Sequence, residues 1–211
     1  MSDLALYLPA FLTAYAILLM GTLSPGPAVG MLMGLALERG RATALFATFG
    51  IALGSACLNM ATLAGFGLLV SQVAWAMTAL KFAGALYLAW LAYGAFRKAL
   101  NPPRIDPAAV PPLAPARAFT MGVAMQITNP KAMAFWIAIH AIGPTTGANL
   151  WIIAVFVAGA ALLSFLGHAF WAVTLSVPRI CAAYHRGRRR IEAVLGCVFL
   201  FASFKLATAK V

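Results

Sequence analysis

Long apolar runs, separated by short polar stretches, dominate the chain. Six of these runs are long enough to cross a bilayer core of about 30 Å, and none shows the alternation of a membrane β-barrel. Backbone polar groups in lipid must be hydrogen-bonded within their own segment, so each run is predicted to be a helix. The predicted helices cover residues 4–37, 43–69, 73–96, 118–142, 149–177 and 191–208.

Proline-centred breaks interrupt two of these helices at matching places. The first break is Ser24-Pro25-Gly26-Pro27, and the second is Thr128-Asn129-Pro130-Lys131. Pro25 lies 13 residues before the polar loop at Glu38, and Pro130 lies 13 residues before Gly143, where the fourth run ends. Proline removes a backbone donor and clashes with the preceding turn, so helices 1 and 4 are each predicted to consist of two half-helices.

The two breaks predict a binding site near the bilayer midplane. Each following half-helix begins with unpaired amide groups and a partial positive charge from its dipole, which favour an anionic group. Matched breaks in the two halves of a chain are the sequence feature that best indicates a transporter's site. The alternative is that both prolines only kink packed helices.

Composition and charge set the class and the orientation. The chain is 64% hydrophobic and only 9% charged, which fits an integral membrane protein and not a soluble domain. Eleven of the fifteen lysines and arginines lie in three alternate connections, so the positive-inside rule predicts both termini outside the cytoplasm. The run Arg186–Arg190 is interpreted as binding anionic lipid headgroups. A nucleic-acid partner is not expected, because no groove-fitting element accompanies the run.

The predicted helices form one transmembrane domain, residues 1–211, made of two halves. Residues 4–96 and 118–208 hold three helices each, joined by a proline-rich cytoplasmic connector at 97–117. An odd number of spans inverts the second half relative to the first, so the halves are predicted to be inverted repeats. The fold class is therefore an all-α membrane protein.

Two lysines lie within apolar segments, where a charge is costly. Lys131 follows the second break and Lys81 lies in the third segment, while the four acids all lie away from the middle of the spans. The lysines could extend to the interface, could be uncharged, or could take their counter-ion from the substrate. The third alternative predicts a site for the carboxylate of a small solute.

Other polar residues in the apolar segments carry weaker predictions. His168 is a candidate proton relay, although a hydrogen-bonded structural role is the simpler alternative for it and for His140. Two glycine series at four-residue spacing predict close helix packing. They are Gly26, Gly30 and Gly34 in the first segment, and Gly50 and Gly54 in the second. The three cysteines show no metal or disulfide spacing, and neither a metal nor a cofactor is expected.

These motifs, in this order and spacing, resemble the lysine/homoserine/threonine exporter (LysE/RhtB) family. The similar positions are Ser24-Pro25-Gly26-Pro27, Glu38-Arg39-Gly40-Arg41, Gly50, Gly54, Lys81 to Leu88, Gly94, Gly122, Asn129-Pro130-Lys131-Ala132, Gly167, Trp171 and Gly196. The resemblance implies efflux of amino acids or related metabolites from the bacterial cytoplasm, driven by the proton motive force.

The sequence therefore predicts a secondary-active exporter of amino acids or related small carboxylates in the bacterial cytoplasmic membrane. Its predicted site is Ser24, Pro25, Gly26, Pro27, Asn129, Pro130, Lys131 and Lys81. One alternative is an exporter of another solute class such as metal ions, and another is a non-transporting assembly or signalling protein. An enzyme is not expected, because no nucleophile–base pair or acidic pair is present. A homo-oligomer stays open, since the glycine faces could pack within or between protomers.

Overall fold

The structure is a computed structural model that describes residues 2–72, 76–101 and 113–208. Every regular element in these ranges is a helix, as predicted. The helices are α1 (Ser2–Leu23), α2 (Pro27–Gln72), α3 (Ala76–Leu100), α4 (Pro115–Ile127), α5 (Pro130–His140), α6 (Leu150–Thr174) and α7 (Pro178–Thr208). Most of the predicted connector, residues 102–112, lies outside the described residues.

Both predicted helix breaks are confirmed. Helix α1 ends before Ser24 and α2 begins at Pro27, while α4 ends before Thr128 and α5 begins at Pro130. Proline suits the first position of a helix, because the amide it lacks would have no helical partner there. Asn129 caps α5, since its side-chain oxygen accepts a hydrogen bond of 3.0 Å from the backbone N–H of Lys131.

The helix bounds differ from the prediction in two places. Helix α2 is interrupted at Gly40, whose φ of +81° is a left-handed conformation that favours glycine. This residue marks the predicted polar loop between the first and second segments. Helix α7 begins at Pro178, thirteen residues before the predicted start, so the basic run 186–190 is helical and not a loop. Arginine is a good helix former, which explains the longer helix.

Three helical stretches in the described ranges are long and apolar enough to cross a membrane. They are Leu4–Leu23, Pro27–Gly65 and Leu150–Thr174. This agrees with a membrane protein, while the arrangement in six spans and two inverted repeats stays a prediction.

Glycines allow α2 and α4 to pack almost backbone to backbone. A Cβ atom added at Gly50 would overlap the carbonyl group of Phe119, and one added at Gly122 would overlap the carbonyl group of Ala47. The prediction of close packing is therefore confirmed on the second segment. At Gly30 and Gly34 an added Cβ atom would meet no atom of a neighbouring helix within 4 Å, so close packing within the chain does not involve these two glycines.

Long-range hydrogen bonds define how α1 lies against α6. The Tyr15 hydroxyl donates to the Phe156 carbonyl at 3.1 Å, and the Trp171 indole donates to the Thr22 carbonyl at 3.1 Å. Residue numbers rise together in these pairs, so α1 and α6 run side by side in the same direction. The first break therefore lies beside the last turns of α6.

Helix α5 runs in the opposite direction along α1. Its first turn contacts the first break, where Lys131 bonds Ser24, and Phe135 one turn later packs against Gly21. Helices α3 and α7 form a separate antiparallel pair, in which the Ser203 hydroxyl donates to the Ala85 carbonyl at 2.7 Å. This arrangement brings the two breaks together beside the α3–α7 pair.

Candidate functional site

A hydrogen bond joins the two breaks. The Nζ atom of Lys131 donates to the carbonyl oxygen of Ser24 at 2.6 Å, across 107 residues of sequence. The carbonyl groups at the end of a helix lack partners within the helix, which leaves an acceptor available at the break. The predicted proximity of the two proline motifs is thus present in the structure.

Gly26 provides the space that the Lys131 side chain occupies. A Cβ atom at Gly26 would lie 3.3 Å from Nζ and 3.4 Å from Cδ of Lys131, which is tight contact. The glycine between the two prolines therefore has a steric role at the site in addition to its place in the break.

A cavity of about 270 Å³, here called the central cavity, lies between the breaks and the α3–α7 pair. Seven of the eight residues predicted for the binding site line it: Ser24, Pro25, Gly26, Pro27, Asn129, Pro130 and Lys131. The eighth, Lys81, lies in α3, but its side chain is outside the described part of the structure. A volume of this size is close to the lower end of the range of about 300–1,000 Å³ for small-molecule sites.

A second cavity, of about 240 Å³, is also lined by Pro25, Gly26 and Pro27. Lys98 lines both cavities, and Arg188 and Tyr184 line the second one. Both cavities at the first break therefore contain cationic side chains.

One carboxylate of this site was not expected from the sequence, in which no acid lies near Lys131. Glu192 lines the central cavity in the structure and is only 2% exposed. Glu192 interacts electrostatically with Lys98, Arg188 and Lys131, and its Oε1 atom lies 3.7 Å from Nε of Arg188. Arg188 and Glu192 lie four residues apart, a spacing that allows an ion pair on one helix face. The pair was not predicted, because the last helix was expected to begin only at residue 191.

The basic run 186–190 does not behave as one surface patch. Arg188 is buried, whereas Arg186, Arg189 and Arg190 are exposed. Successive residues on a helix point in directions about 100° apart, so Arg188 faces the interior while the other three arginines face outward.

The two histidines occupy different surroundings. His168 lines a small cavity of about 30 Å³ together with Lys131, and its Nδ1 atom lies 2.8 Å from the Ser164 carbonyl oxygen. This volume has room for one or two water molecules. His140 lies instead against Asn59 at 2.9 Å, in a packed region. Only His168 is thus placed beside the predicted site.

Metal ligands do not cluster in the part of the chain that the structure describes. No group of three His, Cys, Asp or Glu side chains in those ranges is close enough to hold an ion. The charged groups at the cavities instead suit an organic ion with a carboxylate, which lysine and arginine bind by charge-assisted hydrogen bonds.

Comparisons with known proteins identify the family of the chain. The family model described as LysE type translocator matches residues 19–210. The chain is 27% identical to the threonine efflux protein of Escherichia coli K12 over 194 residues, covering 90% of this chain and 93% of that protein. It is 29% identical to the threonine efflux protein of Salmonella typhi over 199 residues, with the same coverage.

A further relative is an uncharacterised membrane protein of Pseudomonas aeruginosa, 31% identical over 201 residues that cover 89% of each chain. No solved structure matches the chain. Because the family model covers nearly the whole sequence, the conclusion is at the level of the family: the chain belongs to the LysE type translocators.

Proposed function

We propose that this chain is a secondary-active exporter of amino acids, or of related small metabolites with a carboxylate, across the bacterial cytoplasmic membrane. Two relatives are named threonine efflux proteins, so threonine is the first substrate to test. In this proposal the substrate carboxylate binds where the two breaks meet, and Lys131 is its main partner.

The observation that carries the proposal is the hydrogen bond from Lys131 to the Ser24 carbonyl. A carboxylate is a stronger partner for an ammonium group than a neutral carbonyl is, because the hydrogen bond is then charge-assisted on both sides. A substrate entering the central cavity would therefore compete with Ser24 for Lys131. Since this bond ties the first break to the second, substrate binding would loosen the contact between them.

The matched breaks also support the proposed architecture of six spans in two inverted repeats, with both termini outside the cytoplasm. Helix α5, which follows the second break, runs opposite to α1, which precedes the first. Alternating access would then come from rocking of the two halves or from hinging at the breaks. The exposed arginines Arg186, Arg189 and Arg190 would contact anionic headgroups at the cytoplasmic face.

Proton coupling in this proposal involves His168. His168 lies with Lys131 on the small cavity and interacts with it electrostatically. A water in that cavity could connect the two groups, so His168 is proposed as a proton relay. A protonophore is expected to abolish concentrative efflux.

The test is efflux of a panel of amino acids and dipeptides from loaded cells or vesicles. Lys131→Gln removes the charge and is expected to lower efflux at least tenfold, equivalent to about 1.4 kcal/mol, at normal membrane abundance. Lys205→Gln is the matched control, because Lys205 is exposed and lies outside the cavities at the breaks. Unchanged efflux in Lys131→Gln would show that the site assignment is wrong.

The same panel separates the alternatives. Export of divalent metal ions in place of amino acids would favour a metal exporter. No solute-dependent flux with well-folded protein would favour an assembly or signalling role.

A further inference from the structure

Glu192 is a buried carboxylate in which one oxygen atom accepts no hydrogen bond from the described residues. It is 2% exposed, lies on α7 and lines the central cavity. Its Oε1 atom has no hydrogen-bond partner among the described residues. A buried charged oxygen without a hydrogen bond is costly, so such a group calls for a specific explanation.

The cations around Glu192 interact with the carboxylate without a hydrogen bond to Oε1. Arg188, on the same helix, pairs with the carboxylate, but its Nε atom lies 3.7 Å from Oε1, which is an ion-pair distance and too long for a hydrogen bond to that atom. Lys98 on α3 and Lys131 on α5 line the same cavity and interact with Glu192 electrostatically. Three cationic groups thus share one carboxylate, and the central cavity presents an excess of positive charge together with one negative site.

A ligand with one anionic and one cationic group complements this arrangement. Lysine side chains attract the anionic group, while a buried carboxylate attracts an ammonium group, which carries three N–H donors. A carboxylic acid without an amine would leave the Oε1 atom of Glu192 without a hydrogen bond. An amine without a carboxylate would leave the excess positive charge uncompensated.

We propose that Glu192 binds the ammonium group of the substrate while Lys131 and Lys98 bind its carboxylate, so that the central cavity selects zwitterionic amino acids over the corresponding acids and amines. This inference rests on the proposed function, because it assigns a substrate class to the same cavity. Glu192 is therefore a specificity-determining residue of the site.

The competing explanation is that Glu192 only pairs with Arg188 to stabilise α7. A structural pair predicts that loss of the carboxylate lowers thermal stability and leaves ligand preference unchanged. The proposal predicts a change of preference that depends on the ligand's amine. Binding measurements with matched ligands separate the two explanations.

The experiment measures binding by calorimetry to the purified full chain in lipid nanodiscs. The three probes are L-threonine, 3-hydroxybutanoate (the same acid without the amine) and threoninamide (the same amine without the carboxylate). Wild-type protein is expected to bind threonine at least about tenfold more tightly than either analogue. Glu192→Gln is expected to bring the ratio of threonine to 3-hydroxybutanoate close to one, by weakening threonine alone.

Two further variants and one control test which group of the ligand each residue binds. Glu192→Asp keeps the charge at shorter reach and is expected to retain part of the preference for the amine. Lys98→Gln is expected to lower the preference for threonine over threoninamide, because it removes a carboxylate partner. Glu38→Gln is the matched carboxylate control, since Glu38 lines neither cavity at the breaks, and its ratios are expected to equal those of wild type.

Each outcome bears on the proposal. If Glu192→Gln folds normally and still prefers threonine over 3-hydroxybutanoate, Glu192 does not bind the amine and the inference is wrong, while threonine efflux by wild type leaves the proposed function intact. If wild type does not bind threonine, the same comparison is made with the amino acid that it exports. That amino acid is then compared with the acid that lacks its amine and with its amide. If it exports none, the proposed function has failed and this inference fails with it.

Discussion

The two sides of the helix breaks are built in opposite ways. On one side, α1, α5 and α6 pack around buried large side chains, among them Phe11, Trp136 and Phe156. We call this the packed side. On the other side, next to α3 and α7, lie the central cavity and the second cavity, with Lys98, Arg188 and Glu192. We call this the cavity side.

This difference indicates which side of the site is accessible. A transporter that alternates its access is closed on one side of its substrate whenever it is open on the other. The packed side has the aromatic contacts and interhelical hydrogen bonds of a closed barrier, whereas the cavity side has space and charge. The cavity side also carries the basic ends of α3 and α7, which the positive-inside rule assigns to the cytoplasm. In the orientation proposed above, the structure would then represent an inward-facing state.

The largest expected difference between the two sides is in cysteine accessibility. In a background where the three native cysteines are replaced, Gly94→Cys lies on the central cavity, and a Cβ atom there meets nothing within 4 Å. Ala14→Cys lies on the packed side at a position that is 0% exposed. A water-soluble maleimide is expected to label Gly94→Cys at least about a hundredfold faster, as an open site and a buried one differ.

Equal labelling rates would contradict the inward-facing state. Adding the reagent to only one face of sealed vesicles then identifies the accessible side. Labelling of Gly94→Cys from the cytoplasmic face is expected, and labelling from the opposite face alone would reverse the proposed orientation.

The next largest effect is expected on stability at the packed side. Trp136 is 1% exposed, and its indole N–H donates to the Ser55 hydroxyl at 3.3 Å. Trp136→Ala removes this bond and leaves a cavity, so it is expected to lower the free energy of unfolding by roughly 3 kcal/mol. Trp151→Ala is the control, because Trp151 is 47% exposed and its loss should cost about 0.5 kcal/mol or less. Unfolding in detergent measures both.

A similar loss of stability in the two tryptophan variants would mean that the packed side is not a tightly closed barrier. Efflux gives a second readout. A less stable barrier is expected to make Trp136→Ala leak solute when the proton gradient is dissipated, whereas Trp151→Ala is expected to stay tight.

The features that the sequence predicted well are those that depend on local chemistry. A proline cannot donate a backbone hydrogen bond wherever it lies, so the breaks at Pro25 and Pro130 followed directly from the sequence. The all-helical class followed from the apolar runs in the same way. Because both breaks carry polar groups or lysine, seven residues that line the central cavity were predicted from the sequence to lie together.

What the sequence could not provide is the orientation of each helix about its axis. Gly30 and Gly50 lie in glycine series of the same spacing, but only Gly50 faces a neighbouring backbone. Glu192 was missed for the same reason, since its contact with the central cavity depends on how α7 packs on α3. Spacing shows that residues share a helix face, and tertiary packing decides what that face meets.

The smallest effect in the comparison concerns the two asparagine caps, which have the same local chemistry in different places. Asn129 caps α5 at the site, and Asn149 caps α6 by accepting a 3.2 Å hydrogen bond from the Ile152 N–H. Either change to alanine is expected to lower the free energy of unfolding by about 1 kcal/mol. Only Asn129→Ala is expected to reduce threonine efflux, because Asn129 lines the central cavity and holds the first turn that carries Lys131. Suppose both variants lose stability equally and Asn129→Ala still transports like Asn149→Ala. The geometry of the second break then does not limit transport. The functional difference between the two sides would in that case depend on Lys131 and the charged residues of α3 and α7 alone.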